Sequence, residues 1–150
     1  MSRRGELWFG AQLIALLALL GAPLVQRGRI PFGVRFLGLG VLTGGVTIAV
    51  AGYRQLGDNH SPWTTPREGG SLVTTGIYAR TRNPIYLGWC AGGLGLEIIV
   101  GSWLGVGVAG GVAVFYDLKA RAEERRLAEH YSGQYDSYRA EVKRFLPGLY

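Results

Sequence analysis

"IYLGWCAGGLGLEIIVGSWLGVGVAGGVAVFYD", residues 85–117, carries one charge, Glu97, before its terminal Asp117. About 20 mostly apolar residues cross a bilayer, so this run is too long for one ordinary span. Gly101 and Ser102 divide it, which predicts a tight helical hairpin of membrane segments at 85–100 and 102–118. The same segregation of charge continues upstream. "FLGLGVLTGGVTIAVAGY", 36–53, and "LWFGAQLIALLALLGAPLV", 7–25, contain no Asp, Glu, Lys or Arg. Both are long enough to span, and Gly and Thr are acceptable in lipid because neighbouring helices pack closely on them. Charged residues make up only 17% of the chain and hydrophobic ones 48%. The expected fold is an all-α integral membrane protein with about four transmembrane helices, the last two a hairpin, followed by cytoplasmic or interfacial C-terminal helices.

The basic residues supply an orientation. Arg3 and Arg4 precede the first segment, Arg54, Arg67, Arg80 and Arg82 lie in the central connection, and Lys119, Arg121, Arg125, Arg126, Arg139, Lys143 and Arg144 follow the fourth segment. Only Arg27, Arg29 and Arg35 fall on the other side. Lys and Arg concentrate in cytoplasmic loops, which predicts both termini in the cytoplasm; the expected location, a bacterial inner membrane, does not follow from the charge pattern. The net charge of +6 then reflects topology and contact with anionic lipid, and no nucleic-acid partner is implied. The first segment reads as a retained helix, longer than a signal core and followed by no small-x-small cleavage site. A lone cysteine, Cys90, excludes an intrachain disulfide. His60 and His130 have no metal-ligand spacing, so no metal is expected. The chain has no H-E-x-x-H, Walker-type loop, G-x-S-x-G elbow or G-x-G-x-x-G fingerprint.

Between Arg54 and Pro84 several prolines and glycines oppose a long helix, and "SLVTTGIY", 71–78, reads as a short extended or turning segment. After residue 118 the pattern changes to a charged tail, 119–147. Ala120, Glu124, Leu127 and Tyr131 share one helical stripe, Ser132-Gly133 is a break, and a second helix from Gln134 to about residue 143 places Tyr135, Tyr138 and Val142 on one face. The tail is too charged to span and is expected to cover the membrane domain or lie on the bilayer.

Two polar clusters stand at the predicted cytoplasmic ends of these segments. In "TGIYARTRNPIYLGW", 75–89, arginines can meet lipid phosphates while Tyr78 and Tyr86 join an interfacial aromatic belt. Alternatively, an arginine fork holds a carboxylate or phosphate while Tyr and Asn orient another polar group. Glu123 and Glu124 are neighbours on a helix, so their side chains point about 100° apart and cannot serve as an equivalent carboxylate pair. One is free to bind inward while the other pairs with a base such as Lys119, four residues before Glu123. Gly88, Gly92, Gly93 and Gly95 allow close helix packing. Glu97, a carboxyl inside a span, is expected near the hairpin bend, paired, hydrated or functional.

In order and spacing, "LVTTGIYARTRNPIYLGW" (72–89), the intervening hairpin and "EERRLAEHYSGQYDSYRAEVKRFLP" (123–147) resemble the isoprenylcysteine carboxyl methyltransferase family. The wider group of integral-membrane methyltransferases includes phospholipid methyltransferases. The resemblance implies S-adenosylmethionine as cofactor, enclosed on the cytoplasmic side, and a lipophilic methyl acceptor arriving from the membrane, with no obligatory protein partner. Carried over by motif position, Tyr78, Arg82, Asn83, Tyr86, Glu123 and Glu124 are the candidate cofactor-binding residues. Arg82 and Arg144 are the candidate catalytic residues, Arg82 to orient an acceptor carboxylate or the cofactor carboxylate, and Arg144 on the substrate side from a tail folded over the entrance. The family often has histidine where this chain has Asn83. Asparagine cannot act as a near-neutral base, so Asn83 is expected to position rather than to deprotonate. Carboxylate methylation is the leading expectation. Phospholipid amine N-methylation and a noncatalytic membrane binding or structural role are the alternatives.

Overall fold

The computed structural model describes residues 3–57 and 71–150. His60, Arg67 and the prolines at 62 and 66 of the central connection lie outside the described residues. Every regular element among the described residues is helical: α1 (Arg3–Val25), α2 (Phe32–Leu56), a 3-10 turn (Gly76–Ala79), α3 (Pro84–Val100), α4 (Trp103–Tyr131) and α5 (Gly133–Glu141).

Local chemistry sets the hairpin boundaries. Pro84 opens α3, where a missing N–H costs nothing. Gly101 ends it in the left-handed region at φ 74°, donating to the carbonyls of Glu97 and Ile98. Ser102 then caps α4, its Oγ accepting from Gly105 N at 2.9 Å. The expected tight turn at Gly101-Ser102 is therefore present. The tail differs from expectation, because residues 119–131 form no separate helix and continue α4 without a break. Nothing interrupts their helical hydrogen bonding until Ser132, whose φ of 46° marks the turn into α5.

Glycine governs how closely α2 and α3 approach. Gly38, Gly45 and Gly52 line the buried face of α2. On α3, a Cβ at Gly88 would lie 2.6 Å from both Ala49 N and Gly45 O, and one at Gly95 would meet Leu42 N. The two backbones touch directly, antiparallel, and any side chain there would force them apart. α1 packs antiparallel to α4, with the Trp8 and Phe115 rings 5.7 Å apart, and its Leu19 fills the space over Gly93.

α1 from Glu6 to Val25 and α2 from Phe32 to Leu56 are long and apolar enough to cross a membrane. Few of their residues are buried. Ile14 is 69% exposed, Leu17 68% and Phe32 75%, an outward apolar surface that water disfavours and acyl chains accept. An all-α arrangement with two such helices is consistent with a helical membrane protein.

Glu97 sits one turn before the hairpin bend and is fully buried at 0% exposure. Its carboxyl fills the notch left by Gly105, where a Cβ would overlap Glu97 Oε2. Gly105→Ala is therefore expected to lower stability in detergent by about 1–3 kcal/mol through overpacking. Adding Glu97→Ala should restore part of that loss by opening the notch. Thermal melts of the single variants and the pair check both statements.

Candidate active site

The site forms at the end of the bundle opposite the Gly101 turn. Tyr86 and Glu97 are separated by about 16 Å of helix rise, so Glu97 takes no part in it. The chain enters α3 through Thr81, Arg82 and Asn83, and the segment after α5 returns alongside. Arg82 N donates to Lys143 O at 3.0 Å, Asn83 N to Arg144 O at 3.1 Å, and Thr81 Oγ1 to Arg144 O at 2.9 Å. α5 reaches this position because Tyr135, Tyr138 and Val142 bury one face against Leu72, Leu127, Ala128 and Tyr131. Tyr138 adds a hydrogen bond from its hydroxyl to Tyr78 O at 2.6 Å. The stripes predicted on α4 and α5 are the faces that meet.

Glu124 is the hub. Its Oε1 accepts from Arg82 Nε at 3.2 Å, Arg144 Nε at 3.1 Å and Asn83 Nδ2 at 3.0 Å. Its Oε2 accepts from Arg82 Nη2 and Arg144 Nη2, both at 3.0 Å. The carboxylate is 10% exposed, and two guanidiniums forked onto one such group are strong, directional partners. Arg82 Nη1 also donates to the carbonyls of Arg139 at 3.0 Å and Val142 at 2.7 Å. Arg144 Nη1 donates to Asp117 Oδ1 and the Tyr150 hydroxyl, both at 3.1 Å. The hydrogen bond to Glu124 raises the Arg144 pKa still further above its ordinary value. Every nitrogen of both guanidiniums thus donates within the protein. Arg82 and Arg144, the catalytic candidates of the sequence, both pair with Glu124 in the fold, because the tail brings them onto the same buried acid.

Glu123 points a different way, as the helical angle requires. The Tyr86 hydroxyl donates to its Oε1 at 2.6 Å. Lys119, expected as a partner for this acid, donates instead to Gln12 Oε1 on α1 at 2.5 Å, with its ammonium 5.2 Å from the centre of the Tyr86 ring. Tyr86 stacks on Tyr116 with ring centroids 4.7 Å apart, and the Tyr116 hydroxyl is buried with no hydrogen-bond partner among the described residues. Burial pushes the Glu123 carboxyl above the usual carboxylate range, against the opposing pull of Tyr86, Lys119 and Arg126. Desolvation lowers the pKa of Lys119, with Glu123 opposing. Tyr78 is buried, and desolvation raises its pKa too. Tyr78 and Tyr86 therefore face the protein interior rather than a lipid belt.

Asn83 occupies the position before α3 without capping it through its side chain; its amide is turned to Glu124. A partly enclosed acid with a raised pKa, flanked by stacked tyrosines and a buried ammonium, is suited to accepting a proton or holding a cation.

The family model for phospholipid methyltransferases matches residues 34–134. The chain belongs to the phospholipid methyltransferase family. The match takes in α2, α3 and α4 almost entirely, together with Tyr78, Arg82, Asn83, Tyr86, Glu123 and Glu124, while Arg144 and Gln12 lie outside it. The chain is also 31% identical over 77 residues to a protein-S-isoprenylcysteine O-methyltransferase of Schizosaccharomyces pombe. That similarity covers 51% of this chain and 33% of the yeast protein, so the chain spans about a third of the relative's length. Together these findings place it in the broad group of isoprenylcysteine and phospholipid methyltransferase membrane enzymes. Gln12, Tyr116, Asp117 and Tyr150 were not singled out for this centre by sequence. Gln12 in a charge-free segment was the one visible signal, a lone amide in lipid that requires a polar partner.

Proposed function

We propose that this protein is an S-adenosylmethionine-dependent integral-membrane methyltransferase whose acceptor is the amine of a phospholipid headgroup. In this reading the chain crosses the bilayer four times, with the site and both termini cytoplasmic, and the acceptor enters laterally from the lipid. The observation that carries the amine assignment is the division of labour between the two acids. Both arginines are committed to Glu124, so neither is left to orient an acceptor carboxylate. Glu123 stands apart with Tyr86, placed to take the proton that an ammonium must shed before its nitrogen is nucleophilic. The Tyr86 hydroxyl holds that carboxylate in position.

S-adenosylmethionine supplies an activated methyl on a sulfonium. The residues fit a group that is cationic and carries several polar atoms. Glu123 offers negative charge, the Tyr86 and Tyr116 rings offer faces that attract cations, and the unpartnered Tyr116 hydroxyl offers a buried polar contact. Tyr78, Arg82, Asn83 and Glu124 form the adjoining wall. There the two arginines hold the tail against α3 and keep water from the site.

Carboxylate methylation is the second reading, favoured by the similarity to the yeast isoprenylcysteine enzyme. Transfer of labelled methyl from S-adenosylmethionine into membrane extracts separates the two. Label stable to base in an aminophospholipid headgroup is expected. Base-labile label in an ester would replace the amine reading, and no transfer in an intact lipid preparation would overturn both.

A further inference from the structure

Lys119 is 2% exposed, yet among the described residues it forms no ion pair. Among the described residues its hydrogen bond goes to the neutral Gln12 amide, its ammonium lies over the face of the Tyr86 ring, and Glu123 attracts it without direct contact. An ammonium has three donors, and burying it without a paired anion costs several kcal/mol. A lysine kept only for packing would be expected to reach a carboxylate. Asp117, two residues away, is taken by Arg121, Arg144 and the Tyr150 hydroxyl, and Glu123, one turn on, accepts from the Tyr86 hydroxyl.

We propose that Lys119 is the anion-binding centre of this site, taking an oxyanion that arrives with a ligand: a headgroup phosphate or the carboxylate of the methyl donor. Only the choice of ligands rests on the function proposed above. Gln12 aims the ammonium, Arg82 and Arg144 are occupied by Glu124 and the tail carbonyls, and Arg126 adds a further positive charge near Glu123. Lys119 and Glu123 lie about 6 Å apart along α4, a positive and a negative pole flanking the Tyr86 ring. That arrangement suits a zwitterion. Its ammonium is drawn to Glu123 and its phosphate or carboxylate to Lys119.

The test is isothermal titration of the full chain in nanodiscs of neutral lipid with three probes: a short-chain phosphatidylethanolamine, an alkylamine of matched chain length, and S-adenosylmethionine. Lys119→Met is expected to weaken the phosphatidylethanolamine or S-adenosylmethionine at least tenfold while leaving the alkylamine within twofold. Lys119→Arg should recover most of the loss. Weakening confined to the phospholipid identifies the anion as phosphate, and weakening confined to S-adenosylmethionine identifies it as the donor carboxylate. Unchanged binding of both, equal loss for all three probes, or failure of the wild-type chain to bind either oxyanion-bearing probe would overturn the proposal. If Lys119→Met does not fold, Gln12→Leu carries the same test, with a loss of several-fold for an oxyanion-bearing probe and none for the alkylamine. Because the readout is binding, absence of methyl transfer would overturn the enzymatic reading while leaving this one to be decided by its own titrations.

Discussion

Glu124→Ala is expected to destabilise the protein by about 3–5 kcal/mol, the range for removing one partner of a buried ion pair. The substitution leaves two guanidiniums and an amide facing one another with no acceptor. Against a typical total of about 5–15 kcal/mol, that is a large share, concentrated where the tail meets α3 and α4. Hydrogen exchange should show lost protection first in α5 and at the Arg82 and Asn83 amides, which are held by the carbonyls of Lys143 and Arg144. Glu124→Gln should be intermediate, because its amide keeps one acceptor but turns a donor toward the arginines. Arg82→Ala combined with Glu124→Ala should cost much less than the sum of the two, since both act on one network. The exposed Arg139–Asp136 pair is the internal control. Its side chains are 57% and 54% exposed, and Asp136→Ala should change stability by less than about 1 kcal/mol. Thermal melts of all these variants in one detergent make the comparison. Equal effects at Glu124 and Asp136 would remove Glu124 as the hub.

Glu123→Gln is expected to leave the fold intact and to reduce methyl transfer to an amine acceptor by about 10²–10⁴-fold, the usual contribution of a positioned base. Glutamine keeps the Tyr86 hydrogen bond but cannot take a proton. The pH profile supplies the sign. Burial raises the Glu123 pKa, so the base form is lost on acidification at a pH above the ordinary glutamate value of about 4.3. The rate should fall tenfold per pH unit below that point. A carboxylate acceptor, nucleophilic without a base, should show no such limb from Glu123. Stability follows the opposite sense. Because folding favours the neutral acid, this group's contribution is fully present at low pH and diminishes as pH rises through the folded pKa. Glu123→Gln should remove that dependence, which a denaturation series across pH will read.

The segregation of charge made the helical segments and the hairpin legible, because a bilayer demands long apolar runs and Gly101 can adopt a backbone that other residues resist. The pairing of "RNPIY" with "EERRL" was also legible as a family pattern, and the facing stripes of α4 and α5 followed from a period of 3.6 residues. The continuity of α4 past residue 118 was not visible. A change from apolar to charged composition marks a change of solvent, and it need not mark the end of a helix. Nor did the sequence say which acid serves which partner. Neighbouring glutamates differ by about 100° around a helix, and their environments depend on what the tail and α1 bring to each side.

By itself, then, the sequence determined the all-α class and the long apolar runs, since these follow from local composition, and its resemblance to a family pointed to polar residues that the fold gathers at one end of the bundle. Tertiary structure alone decided their partners. Arg82 and Arg144, separated by most of the C-terminal half, meet on Glu124 only after the tail folds back. Lys119 and Gln12 come together only because α1 packs against α4. The physical reason is the same in both cases: a buried charge takes the partner that folding places within hydrogen-bond reach.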